Sequence, residues 1–70
     1  MMRAIVLNGG RSSGSGFDCR VWNGPAGTWK FTIIAIGRPG KWSSQVSRKE
    51  WPDPVALATR AADQGPGFLD

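Results

Sequence analysis

The chain has no histidine, no tyrosine and a single cysteine in 70 residues. Without imidazoles, and with Cys19 alone, the common thiolate and histidine metal sites cannot be assembled, no internal disulfide can close, and no Cys–His nucleophile pair exists. The five acidic residues, Asp18, Glu50, Asp53, Asp63 and Asp70, are scattered, so no carboxylate pair is set up for general acid–base work. These absences predict a protein that is not an enzyme and carries no cofactor and no metal. No apolar run exceeds four residues, far short of the ~20 that a membrane-spanning helix needs. With no secretory leader pattern and no disulfide framework, the expected location is cytoplasmic.

Seventy residues fit one domain, 1–70, and no more. A core of this size seldom supplies more than about 3–5 kcal/mol, and small proteins add disulfides, a metal or a partner subunit. With the first two excluded, help from a partner, a homodimer included, is the remaining route. Nine Lys or Arg against five Asp or Glu give a formal charge of +4 and a pI near 10.3, which favours anionic partners.

Turn residues divide the chain. Met2–Leu7 suits a first strand ending at Asn8-Gly9-Gly10, and the Gly/Ser stretch 9–16, interrupted only by Arg11 before Gly16, reads as a flexible loop. Phe17–Trp22 and Thr28–Ile36 are strand candidates joined by Asn23-Gly24-Pro25-Ala26-Gly27 as a five-residue hairpin loop. Gly37-Arg38-Pro39-Gly40 then turns the chain into a weaker strand, Lys41–Ser47. Asp53 followed by Pro54 is a helix start, because the carboxylate can cap free amides and proline has no N–H to lose at the first helical position. The helix should run to Gln64, with Pro54, Leu57, Ala58, Ala61 and Ala62 on one face and Val55 at its edge. Gly65 ends it and releases a tail, 65–70, in which Phe68 and Leu69 can latch onto the core. The fold class is α+β: a small antiparallel sheet of three to four strands packed on one C-terminal helix.

Closing the hairpin through a five-residue loop sets Trp22 against Thr28, Arg20 against Lys30 and Cys19 against Phe31. A four-residue loop next sets Trp42 against Ala35 and Val46 against Phe31. Alternation then sorts Phe17, Cys19, Val21, Trp29, Phe31, Ile33, Ala35, Trp42 and Val46 onto an inner face. Asp18, Arg20, Trp22, Lys30, Thr32, Ile34, Ile36, Lys41, Ser43, Gln45 and Ser47 fall on the outer one. Trp51 is expected to pack where the chain enters the helix, and Cys19 to be a buried, inert thiol. On the outer face Arg20 opposite Lys30 is an unfavourable like-charge pair, and Trp22 exposes a large ring beside them. Phosphates would neutralise such cations, and an indole can stack on a base or sugar.

The hairpin with Gly27-Thr28-Trp29-Lys30-Phe31, a third strand, and Trp51 ahead of a helix containing Ala58, Ala61 and Ala62 resembles AP2-type and phage-integrase arm-type DNA-binding domains. The resemblance covers about 17–64 and rests on general features rather than a diagnostic motif. It implies a three-stranded sheet whose outer face enters the DNA major groove, with Arg20, Trp22, Lys30 and Lys41 at contacting positions. The extra N-terminal strand and the Gly/Ser loop depart from that pattern. Three strands before a helix that follows Ser47-Arg48-Lys49 is also similar to double-stranded RNA-binding domains, whose first helix has no counterpart here.

The expected function is a non-catalytic nucleic-acid-binding module, DNA rather than RNA, using Arg20, Trp22, Lys30, Lys41, Arg38 and, from its loop, Arg11. The alternative is a phage-type inhibitor or adaptor that grips a host protein with the same face, Trp22, Ile34 and Ile36 serving as an apolar anchor.

Overall fold

A computed structural model describes residues 9–69; the expected strand Met2–Leu7 lies outside them. Four strands, β1 (Gly9–Ser13), β2 (Phe17–Asn23), β3 (Thr28–Ala35) and β4 (Lys41–Ser47), form an antiparallel sheet in the order β1-β2-β3-β4, followed by one helix, α1 (Pro54–Gln64). The α+β arrangement is the expected one, but the fourth strand comes from an unexpected place.

The stretch read as a flexible loop supplies β1. Gly9 pairs with Trp22, Arg11 with Arg20 and Ser13 with Asp18. Glycine and serine are poor strand formers, so propensity does not explain the strand. Packing does: α1 lies mainly on β1 and β2. A Cβ on Gly10 would stand 3.0 Å from the Pro54 carbonyl and from Val55 Cα, and one on Gly14 would stand 2.3 Å from the Ala62 carbonyl oxygen. Small residues on the strand and the buried alanines Ala58, Ala61 and Ala62 on the helix let the two backbones approach closely.

Both hairpin registers differ from expectation by two residues. In the first, Thr28 N–H donates to the Pro25 carbonyl at 2.9 Å and Gly27 takes the positive φ of 73° that the turn requires. Asn23 therefore joins β2 opposite Trp29, Trp22 opposes Lys30, and Arg20 opposes Thr32 rather than Lys30. In the second, the Ala35 N–H donates to the Gly40 carbonyl at 3.0 Å, so the turn takes in Ile36 and releases Gly40, and Ile34 rather than Ile36 faces Lys41. A slip of two keeps every side chain on its face, because the strand period is two.

The core therefore holds most of the expected residues: Cys19, Val21, Trp29, Phe31, Ile33 and Val46 from the sheet, and Leu57, Ala58, Ala61 and Ala62 from the helix. Asp53 caps α1 by accepting from the Val55 N–H at 2.9 Å, and Gly65 closes it by donating its N–H to the Ala61 carbonyl. The tail latches onto the core through one of its two expected residues: after a single 3-10 turn, Gly65–Gly67, Phe68 is buried edge-on to Phe31 and Trp51, while Leu69 stays exposed. Trp51 packs against the core at the helix entry, and its carbonyl accepts from the Trp29 indole N–H at 2.8 Å. Trp42 is the exception. Expected in the core, it is 41% exposed, because a helix seated over β1 and β2 leaves the helix side of β4 open at Trp42 and Ser44, while Val46 on the same side is buried; the Phe17 ring meets the Trp42 ring in a T-shaped contact.

Candidate nucleic-acid interface

The pairing aligns the outer-face side chains in three rows across the strands. The first runs Gly9, Trp22, Lys30, Gln45; the second Arg11, Arg20, Thr32, Ser43; the third Ser13, Asp18, Ile34, Lys41. The helix lies on the opposite side, so Arg20, Trp22, Lys30, Lys41, Ser43 and Gln45 are all exposed. Trp22 remains 39% exposed. An open groove of about 530 Å³ runs beside it, lined by Pro25, Lys30, Ser43 and Gln45. A second of about 290 Å³ lies between Trp22, Arg20, Ile34 and Lys41.

The like-charge pair expected between Arg20 and Lys30 falls instead between Arg20 and Arg11, which face each other across β2 and β1. Asp18 relieves part of this repulsion by an ion pair with Arg11 at 3.4 Å, and Ser13 donates to the same carboxylate at 3.1 Å. At such exposure the ion pair contributes at most about 1 kcal/mol. Lys30 sits opposite the Trp22 indole, and Thr32 and Ser43 share a hydrogen bond at 3.1 Å in the middle row.

Four of the six expected contact residues, Arg20, Trp22, Lys30 and Lys41, thus share one surface. Arg11 joins them from β1, held in a strand rather than swinging on a loop. Arg38 does not: its guanidinium lies 5.3 Å from the ring centroid of Phe17, an inner-face residue. Gln45, expected on the outer face opposite Thr32, stands instead beside Lys30 because of the two-residue slip.

Arg48 has a structural role. Its guanidinium stacks 4.0 Å from the Trp29 ring centroid, while its N–H groups donate to the Thr28 carbonyl at 3.0 Å and to the Asn23 side-chain oxygen. Cys19 is fully buried; burial pushes its thiol from 9.0 up to about 11, and the nearby Asp18 carboxylate acts in the same direction. No cluster of three His, Cys, Asp or Glu that could hold a metal occurs among the described residues, and no helix among them is long and apolar enough to cross a membrane. Comparison with protein-family models, curated proteins and solved structures finds no match to this chain.

Proposed function

We propose that this chain is a non-catalytic nucleic-acid-binding module that lays the outer face of β2–β4 against duplex DNA. The observation that carries the reading is the exposed Trp22 ring between two cations, Lys30 opposite it on β3 and Arg20 two residues along β2. A cation beside an open indole on a surface with no nearby carboxylate except Asp18, which is already paired, suits a phosphate and its sugar or base. Arg20, Lys30 and Lys41 would hold phosphates, and Gln45, Ser43 and Thr32 would offer hydrogen bonds to base edges.

Strand spacing supports DNA over RNA. Three strands span about 10 Å between their outer members. The B-form major groove is about 12 Å wide, whereas the A-form groove is too deep and narrow for side chains to read. Gly9, which ends the first row without a side chain, leaves β1 as a rim from which Arg11 can approach the backbone.

The exposed Ile34 and Ile36, at 46% and 51%, favour a second reading, a protein partner on the same face. Mobility-shift titrations on short duplex DNA, duplex RNA and single strands, repeated across salt, separate the two. Contact with three to five phosphates should lower log affinity with log salt at a slope of roughly −0.9 per phosphate. Absence of binding to every nucleic acid at low salt would refute the first reading and leave the second.

A further inference from the structure

β4 is a margin of the sheet among the described residues, and it lacks the devices that keep such margins single. Its register against β3 runs unbroken from Thr28–Ser47 to Ile34–Lys41 with no bulge, it contains no proline, and its one charged residue, Lys41, stands at its first position. Edges that stay unpaired usually carry charge, proline or a bulge within the strand. On the helix side of the same strand, Trp42 and Ser44 are left open by the offset helix.

We propose that a second copy of this chain pairs with β4, edge to edge and antiparallel, about a twofold axis at Ser44. The sequence of the strand is self-complementary about that point. All seven residues pair: Lys41 faces Ser47 of the second copy, Trp42 faces Val46, Ser43 faces Gln45, and Ser44 faces its own counterpart. The two Lys41 side chains lie at opposite ends of the ladder, so no like charges oppose one another. Each exposed indole gains a β-branched neighbour on the same face, a favourable cross-strand pair. A one-residue slip would set Trp42 against Gln45 and turn the second helix to the other side of the sheet. This pairing does not depend on the nucleic-acid reading. The charge of +4 on each copy opposes it, so added salt should tighten the dimer while it weakens phosphate contacts.

The twofold axis gives a charge-swap test. Ser44→Lys and Ser44→Glu each place an exposed side chain in the single copy but set two like charges face to face across the axis. Sedimentation velocity of the whole chain up to high micromolar concentration should show the wild type at twice the chain mass and each variant at the chain mass. Equimolar mixing of the two variants should restore the double mass, and circular dichroism should show both folded. A wild type that stays at the chain mass overturns the proposal, as do two folded variants that each still dimerise, or a mixture of monomeric variants that fails to pair.

Discussion

Two glycines two residues apart should respond oppositely to the same substitution. At Gly14 an added Cβ would lie 2.3 Å from the Ala62 carbonyl oxygen and 2.7 Å from its carbon; at Gly16 it would meet nothing within 4 Å. Neither glycine has a positive φ, so neither needs glycine for its backbone angles. Replacing a glycine by alanine at a compatible site stabilises by about 0.4–1 kcal/mol, because the unfolded chain has less freedom to lose. Gly16→Ala should show that gain. Gly14→Ala should show the reverse, since the Ala62 carbonyl belongs to the helix backbone and cannot rotate away as a side-chain tip can. Overpacking of this kind costs typically 1–3 kcal/mol. With a reserve of about 3–5 kcal/mol for a chain this short, much of the stability would go. In thermal unfolding followed by circular dichroism, a change of 1 kcal/mol moves the midpoint by roughly 4–8 °C in so small a domain. Gly14→Ala should melt well below wild type and Gly16→Ala slightly above it. Equal shifts for the two variants, or an unchanged Gly14→Ala, would mean that α1 does not rest against β1 as described.

Arg20→Ala should weaken duplex binding and lower the salt slope by about one phosphate's worth, while stability stays level or rises slightly as the repulsion with Arg11 is relieved; paired titration and melting curves check both. Trp22→Ala should cost about 1–3 kcal/mol of binding if the ring stacks, with little change in melting, and a loss of folding would place the indole in the core instead. Because the buried Cys19 thiol is raised from 9.0 to about 11, the fold prefers its neutral form. Its contribution to stability is full below pH 9 and is lost as pH rises from about 9 through 11. Denaturant midpoints measured over that range should fall more steeply for wild type than for Cys19→Ala, and parallel pH profiles would contradict the burial of the thiol.

Legibility followed the kind of signal. Alternation assigned the two faces of β2 and β3, and the Asp53-Pro54 start and Gly65 stop bounded α1, because each is a local rule with a local cause. Registers were less legible, since loop length alone does not say which amides a turn will use; the two hairpins close through the Thr28 N–H on Pro25 and the Ala35 N–H on Gly40. β1 was hidden for a stronger reason. Its glycines and serines carry no strand propensity, and their value appears only against the alanine face of α1. Trp42 was misplaced by the same omission, because covering β1 draws the helix away from β4. The outer-face grouping held because a slip of two changes neighbours but not sides, which is why Arg20, Trp22, Lys30 and Lys41 still share a surface.

The offset helix also sets two uses of the sheet against each other. In the single copy, β2–β4 present about 10 Å of strand width, which a major groove of about 12 Å can admit. Pairing two copies through β4 joins eight strands into a surface about 34 Å from margin to margin, and β4 then lies in its interior. Groove entry and edge pairing therefore compete for β4. Short duplex DNA added to the dimer at low salt should release single copies, each bound to duplex, and raising salt should favour the dimer from both directions. Native mass spectrometry of the mixture reads this directly. If duplex instead carries intact dimers at every ratio, with the Ser44 charge-swap pair still required for their assembly, then the sheet lies across the phosphate backbone and does not enter the groove.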